Sequence, residues 1–154
     1  MKPSEGQRLA DFSTAVREST LKRLLQVPPG KENWRPSSSS MSFANIAHHV
    51  AEADSWLFRK LEDPAFSKMA GRVGDAAVAT PEEFQELVTK LRRSGERRAT
   101  FLSTITDSFL DSPIFDDRFG EVTVWWVIVR GNLDHEAHHR GQLAVYLRMI
   151  QGAA

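Results

Sequence analysis

Four stretches of the chain repeat their apolar residues every three or four positions, and residues that break helices separate the stretches. Such spacing is typical of amphipathic α-helices, in which one face packs against the rest of the protein. The stretches run from about residue 5 to 26, 42 to 62, 80 to 106 and 123 to 150. The pattern therefore predicts an all-α fold and gives almost no support to strands.

The beginnings of two of these helices are marked in the sequence. In the third stretch, Thr80 has the residue type of an N-cap, Pro81 suits the first helical position, and Glu83 can complete a capping box. Ser42, which follows the polar run SSSSM, is the predicted N-cap of the second helix. Gly95 interrupts the third helix, where a glycine costs about 1 kcal/mol relative to alanine.

Each of the first three helices carries a stripe of residues that we expect to be buried. The stripe of the first helix is Leu9, Phe12, Val16, Thr20 and Leu24. The stripe of the second includes Phe43, Ile46, Val50, Ala53 and Leu57. The stripe of the third is Phe84, Leu87, Val88, Leu91, Leu102 and Ile105.

The segments between the helices predict how the helices are joined. About 17 residues connect the second helix to the third, whereas DSPIFDDRFGEVTV, residues 111–124, contains turn signals and predicts a short, extended, hairpin-like excursion. A chain of 154 residues is long enough for one domain with its own core. Four long amphipathic helices in one domain, spanning residues 1–154, predict a four-helix bundle.

The composition excludes several environments and chemistries. The chain has no cysteine, which excludes disulfides, thiolate ligands and a cysteine nucleophile, and is consistent with a reducing compartment. Its first residues, MKPSEGQRLADF, lack the apolar core of a secretory signal. The longest apolar run, VTVWWVIV, is far shorter than the ~20 residues that span a membrane. We therefore expect a cytoplasmic protein without a membrane partner.

The charges give no reason to expect nucleic-acid binding. Twenty Lys and Arg residues balance twenty Asp and Glu residues, so the formal net charge is +0 and no long-range attraction to a polyanion results. The segment KLRRSGERR, residues 90–98, is locally basic but has neither interleaved aromatic residues nor a recognised motif. We expect it to form a solvent-exposed face.

The stretch DHEAHHRGQL contains three of the five histidines of the chain. Residues four apart lie on the same side of a helix, so His135 and His139 can each offer a ring nitrogen to one metal ion at ~2.0–2.1 Å. His138 is turned about 100° away from His139. This pair needs a third ligand before it indicates a metal site.

The second helix supplies two candidates for that third ligand. His48 shares its side of the helix with polar and charged residues, whereas His49 lies beside apolar residues at the edge of the core. Because the second and fourth helices of a bundle can meet in its interior, His49, His135 and His139 are predicted to form a three-histidine site. Such a site keeps a coordination position open for water or a substrate.

Two other interpretations of the same residues remain. His49 can be a core-edge histidine satisfied by hydrogen bonds, with the pair in the fourth helix facing solvent. Alternatively, Glu136 and His139 form one Glu-x-x-His motif of the kind found in diiron bundles, although such bundles require two motifs and the sequence has one.

The sequence also resembles a known family. The order of four helices, a histidine soon after the apolar start SFANIAHHV, and HEAHHRGQL in the last helix are similar to the DinB-like superfamily. The segment NWRPSSSSMS resembles the Trp, Pro and Ser pattern that precedes the second helix in many members. The resemblance covers residues 5–150, and its specificity lies in the combination of a histidine, His-x-x-x-His and Arg-Gly-Gln.

The resemblance implies a bundle of up-down-down-up type, often a homodimer, in which His49, His135 and His139 hold a divalent metal, with zinc or nickel expected first. Relatives with assigned activities are thiol-dependent transferases and isomerases that use mycothiol, bacillithiol or glutathione. It therefore implies a small-molecule substrate and a low-molecular-weight thiol as cosubstrate. A thiol held by the metal would be deprotonated and hence nucleophilic.

Several other residues could contribute to such a site. Gln142 could hydrogen-bond a ligand and Glu52 could orient a histidine ring, but exposure to solvent is the simpler expectation for both, and Arg140 is expected at the surface or a dimer contact. The tryptophans are expected to pack rather than line a pocket, namely Trp34, Trp56, Trp125 and Trp126.

Two functional hypotheses follow from the sequence. The first is a metal-dependent hydrolase or small-thiol-dependent transferase. The second is a non-enzymatic helical dimer with a structural or vestigial metal site.

Overall fold

The computed structural model describes residues 1–66 and 76–152, and most of them are helical. The long helices are α1 (Glu5–Leu24), α2 (Phe43–Glu62), α3 (Pro81–Ser103) and α6 (Asp134–Gln151). Between α3 and α6 lie α4 (Asp107–Leu110), the strands β1 (Pro113–Asp116) and β2 (Gly120–Thr123), α5 (Val124–Ile128) and a π-helical segment (Val129–Leu133). Most of the predicted connection between the second and third helices lies outside the described residues.

Side-chain caps begin the helices at the predicted positions. The Ser42 hydroxyl accepts from the backbone N–H of Asn45, and that of Thr80 accepts from Glu83 N–H at 3.1 Å. The Glu83 carboxylate accepts in turn from the N–H of Ala79 at 2.7 Å, one residue earlier than in a standard capping box. The N-caps predicted at Ser42 and Thr80 are therefore confirmed.

The helix ends differ from the prediction. The first and third helices end at Leu24 and Ser103, and the hydroxyl of Thr106 caps the short helix α4 instead of ending α3. The predicted fourth helix is interrupted by the π-helical segment, in which each turn holds more residues than an α-turn.

The strands form the predicted hairpin. β1 and β2 pair antiparallel, with Pro113 opposite Thr123 and Asp116 opposite Gly120. Gly120 has a φ of 77°, a backbone conformation that favours glycine, next to the turn. Among the described residues, these two strands are the part of the fold that differs from the predicted all-α structure.

Two apolar clusters form the core, and a polar layer separates them. The first cluster contains the C-terminal ends of α1 and α6 and the N-terminal halves of α2 and α3. The second contains the opposite ends of α1, α2 and α3 together with α4, β1, α5 and the π-helical segment. Between the two clusters, each long helix contributes buried polar residues, which are Arg17, Asp54, Arg98 and Glu136.

Most of the predicted stripes are buried, with one clear exception. The side chain of Phe12 is 55% exposed, so its predicted place in the core is wrong. Ser13 takes the inward position next to it, because it bonds the buried Arg98 of α3. No helix in the described part of the chain is long and apolar enough to cross a bilayer.

Candidate metal centre

The structure brings together the three histidines that the sequence singles out. The Nε2 atom of His135 lies 2.9 Å from Nε2 of His49 and 3.1 Å from Nε2 of His139. The candidate ligand nitrogens all lie within 4.8 Å of one another. We call these three residues the histidine cluster.

Local structure explains this convergence. His135 and His139 are four residues apart in α6, so their rings lie one above the other on the same side. His49 stands in α2 beside the fully buried Ile46 and Val50, at the edge of the core. Contacts between α2 and α6 then bring the ring of His49 against the other two rings.

Gln142 holds one of the rings in place. The Nδ1 atom of His139 lies 2.7 Å from Oε1 of Gln142. When Nδ1 donates to this carbonyl oxygen, Nε2 keeps its lone pair and points it at the cluster. From the sequence, Gln142 was expected to be exposed or to bond a ligand, whereas in the structure it is half-buried and bonds the ring of His139.

Burial keeps the cluster neutral at physiological pH. The pKa of His135 is lowered to about 3, mainly by burial and in addition by the charges of His139, His49 and Arg118. Burial also lowers the pKa of His139 to about 4, although its bond to Gln142 acts in the opposite direction. The pKa of His49 is lowered by burial and by His48. Neutral imidazoles are the form that binds metal ions.

Two of the three nitrogen separations in the cluster fit a divalent metal ion. Two nitrogens that each lie ~2.0–2.1 Å from a common ion are separated by roughly 2.9–3.4 Å when the angle at the ion is between about 90° and 110°. Both measured separations, 2.9 and 3.1 Å, lie in this interval. Two ring nitrogens whose lone pairs face each other this closely repel unless a cation or a proton lies between them, so these separations suit a bound cation.

The other two histidines stay outside the cluster. His48 turns its Nδ1 atom toward Glu52, 3.6 Å away, and His138 is exposed to solvent. Glu52 therefore lies beside His48 and does not hydrogen-bond the ring of His49. The choice of His49 over His48 by helix side agrees with the geometry.

Glu136 points away from the cluster into the polar layer. Its carboxylate accepts from Arg17 Nε at 2.7 Å, from Arg98 Nη1 at 2.6 Å and from the Thr20 hydroxyl at 2.8 Å. Burial raises the pKa of Glu136, but Arg98 and Arg17 outweigh it and hold this pKa at about 2. A carboxylate with these partners is not turned toward the histidines, which argues against the diiron interpretation.

Asp54 completes this polar layer, which we call the ion-pair network. Arg17 Nη2 and Arg98 Nη1 each donate to the Asp54 carboxylate at 2.8 Å, and the Ser94 hydroxyl donates at 2.6 Å. The amide of Asn132 also donates to Asp54, at 3.3 Å. Each carboxylate therefore lies between two guanidinium groups.

The ion-pair network corrects the interpretation of segment 90–98. Arg98 is 0% exposed and Ser94 is partly buried, so the prediction of a wholly solvent-exposed face is wrong. The signal was present in the spacing, because Leu91, Arg98 and Leu102 lie on one side of α3. Gly95 belongs to the same side, and a Cβ atom there would lie 2.6 Å from Cγ of Arg17.

The tryptophans divide into two groups. Trp34 packs against Phe43 and Tyr146, and Trp56 is buried in α2, as predicted. Trp125 and Trp126, at the start of α5, remain partly exposed.

The protein is therefore a mostly helical protein with a candidate metal centre, which consists of three neutral histidines from two helices. The chain belongs to the DinB superfamily, whose family model matches residues 14–143 and so includes all three histidines. Among solved structures, it is similar to a DinB-like protein, YjoA, from Bacillus subtilis, with 21% identity and a TM-score of 0.70. That match covers 94% of this chain and 92% of the other, and it shows the fold. No curated protein matches the sequence.

Proposed function

We propose that this protein binds a divalent metal ion through the Nε2 atoms of His49, His135 and His139, and that it is a metal-dependent enzyme of the small-thiol transferase or hydrolase type. The observation that carries this proposal is the convergence of three neutral ring nitrogens at separations of 2.9 and 3.1 Å. Three protein ligands leave a coordination position for a reactant.

The protein's own residues would hold and orient the reactants. When bound, the metal ion would act as a Lewis acid toward a thiol or water molecule. The three neutral rings leave the charge of the ion uncompensated, which favours an anionic ligand such as a thiolate. Gln142 fixes the ring of His139 and so the direction of its lone pair.

Thiol transfer is favoured over hydrolysis by the surroundings of the cluster. Among the residues that the structure describes, the acidic groups nearest in sequence to the three histidines have other neighbours. Glu136 binds two arginines, Asp134 binds Arg130, and Glu52 faces His48. Hydrolysis commonly uses a general base beside the attacking water, whereas a metal would lower the pKa of a coordinated thiol enough for its proton to pass to solvent without a base from the protein. Because the chain has no cysteine, the thiol would enter as a cosubstrate.

Metal analysis of the tag-free protein tests this proposal. We expect about one equivalent of zinc or nickel per chain after reconstitution, and a loss of binding in the His139→Ala variant. The matched control is His138→Ala, which removes the exposed neighbouring imidazole and should keep the metal. Less than about half an equivalent in the reconstituted wild-type protein would contradict the proposal.

Cobalt substitution tests whether the site is open. We expect the visible spectrum of the cobalt protein to change when a small thiol is added. A spectrum that no added ligand changes would favour the alternative, a non-enzymatic dimer with a structural or vestigial metal site.

We further propose that the whole chain, residues 1–154, forms a single four-helix bundle of up-down-down-up type. The composition of the two apolar clusters supports this arrangement, because the C-terminal ends of α1 and α6 share a cluster with the N-terminal halves of α2 and α3. Distances between spin labels at the ends of α1 and α2 would test the antiparallel order of these two helices.

We also propose that the protein is a cytoplasmic homodimer. Large apolar side chains that remain exposed support self-association, namely Phe12, Trp125, Trp126 and Met149. Light scattering after size-exclusion chromatography should give twice the mass of one chain, and a monomer at micromolar concentration would contradict this.

A further inference from the structure

Arg118 lies in the turn of the hairpin and reaches back over α2. Its guanidinium stacks on the ring of Trp56, 4.4 Å from the ring centroid, and on that of Phe119 at 4.8 Å. The side chain is 27% exposed, so part of it is accessible to solvent. An arginine stacked between aromatic rings has its plane fixed and its charge only partly hydrated.

Asp116 anchors this arginine from one side. The carboxylate of Asp116, which is 3% exposed, accepts from Nε of Arg118 at 3.2 Å and from its backbone N–H at 2.8 Å. Within residues 1–66 and 76–152, neither terminal nitrogen of Arg118 has a hydrogen-bond partner. The two terminal N–H groups are thus positioned but unused.

The guanidinium lies close to the histidine cluster. Gly131 precedes His135 by about one helical turn, and a Cβ atom at Gly131 would lie 3.2 Å from Nη2 of Arg118 and 3.3 Å from the ring of Trp56. Trp56 follows His49 by two turns on the same side of α2.

The charges around the histidine cluster favour the binding of an anionic ligand. A divalent ion held by three neutral rings keeps both of its charges, and a thiolate would compensate one of them. The nearby Arg130 is already paired with Asp134 at 2.9 Å. Among the described residues, Arg118 is a neighbouring cation with both terminal nitrogens still available for a second anionic group on the same molecule.

We propose that Arg118 is a substrate-binding residue that pairs with a carboxylate of the reactant whose other end lies at the histidine cluster. The reactants would be small carboxylic acids, including carboxylate-bearing thiols, rather than neutral molecules of the same size. This inference rests on the proposed function, because it places the reacting end of the molecule at the metal.

Two thiols of equal length test the inference on the cobalt-substituted protein. 3-Mercaptopropionate carries a carboxylate where 3-mercaptopropanol carries a hydroxyl, and the visible spectrum reports the binding of each. We expect the Arg118→Gln variant to lose about tenfold or more of its affinity for 3-mercaptopropionate while binding 3-mercaptopropanol as the wild type does. Chelation of cobalt by the carboxylate is the same in both proteins, so only the difference between them counts.

Two further variants separate recognition from structure. Arg118→Lys keeps the charge but not the two parallel donors, and we expect it to recover only part of the affinity. Arg130→Gln removes an exposed guanidinium near the same Phe119 ring and should bind both thiols as the wild type does. An equal loss for both thiols, or a lower melting temperature with unchanged affinities, would assign Arg118 a structural role and overturn the inference.

The same experiment distinguishes an error in the proposed metal binding from an error in the role of Arg118. If the wild-type protein takes up no cobalt, the metal proposal is wrong and this inference is wrong with it. If cobalt binds and responds to thiols but the Arg118→Gln variant keeps the wild-type affinities, only the inference about Arg118 is wrong.

Discussion

The histidine cluster and the ion-pair network are two polar sites built on the same helices, and they differ in whether they are complete. α2 contributes His49 to one and Asp54 to the other, while α6 contributes His135 and Glu136 as neighbours in the sequence. In the network, donors of one charge face acceptors of the other. In the cluster, three groups of the same kind face each other.

This difference indicates which site depends on a ligand. Buried polar groups are stable when each finds a partner, and the carboxylates of the network each have several. Among the described residues, the Nδ1 atoms of His49 and His135 have no partner, and the Nε2 atoms have only one another. We infer that the network stabilises the fold by itself, whereas the cluster becomes favourable when a cation is bound.

The largest expected effect comes from breaking the network. Arg98→Ala should lower the free energy of unfolding by about 3–5 kcal/mol, because it leaves Asp54 and Glu136 buried with one guanidinium between them. Urea denaturation measures the change. The control is Arg93→Ala, five residues earlier on the exposed side of α3, which should change stability by less than about 0.5 kcal/mol. Equal effects of the two substitutions would contradict the role of the network.

Acid should weaken the network through Glu136. Its pKa in the folded protein, about 2, lies below the ordinary value of 4.5. The stabilisation is therefore fully present above about pH 4.5 and is lost as the pH falls toward 2, on the order of 3 kcal/mol in total. Denaturation at a series of pH values measures this loss. The Glu136→Gln variant should lose less stability over this interval, and a pH dependence identical to the wild type would exclude Glu136 as its source.

Binding of metal to the histidine cluster should raise the free energy of unfolding, whereas replacing one of its histidines should change the stability of the metal-free protein little. Zinc at a free concentration 100 times its dissociation constant should raise the free energy of unfolding by about 2.7 kcal/mol. The His135→Leu variant should lose this increase. Without metal, the same variant should be within about 1 kcal/mol of the wild type, because an apolar group replaces buried nitrogens without partners. Thermal denaturation with zinc and with a chelator gives both values. A large loss of stability in the metal-free variant would contradict the difference between the cluster and the ion-pair network.

The smallest expected effect comes from glycines at two helical positions. Gly95→Ala should destabilise the protein by about 1 kcal/mol, because the clash with Arg17 outweighs the higher helix propensity of alanine. Gly141→Ala, in α6, meets nothing within 4 Å and should stabilise the protein by about 0.5–1 kcal/mol. Melting temperatures that move in opposite directions would confirm this, and a shift in the same direction would exclude packing of Arg17 as the reason for Gly95.

The histidine cluster could be predicted from sequence because its geometry is mostly local. The spacing of His135 and His139 fixes their common side of α6, and the apolar neighbours of His49 distinguish it from His48. The capping residues Ser42 and Thr80 likewise act on backbone groups within three residues. These predictions needed only one assumption about tertiary structure, that α2 and α6 meet.

The ion-pair network could not be recognised in the same way, because each charge is explained only by a partner far along the chain. Arg17 and Glu136 are 119 residues apart, and Arg98 and Asp54 are 44 apart. Alone, each charged residue is expected at the surface. Arg118 could not be assigned a role from the sequence for a related reason, because it comes near the cluster only where the hairpin packs over α2.

The π-helical segment Val129–Leu133 sets the rotational phase of everything that follows it. Because it holds about one residue more per turn than an α-helix, it takes up one residue without rotating HEAHHRGQL; if the same five residues wound as an α-helix, that motif would turn by roughly 100°. The motif would then be intact in the sequence while its imidazoles pointed away from His49. A substitution that converts this segment to α-helical winding would therefore separate the histidine cluster, although every histidine would be kept.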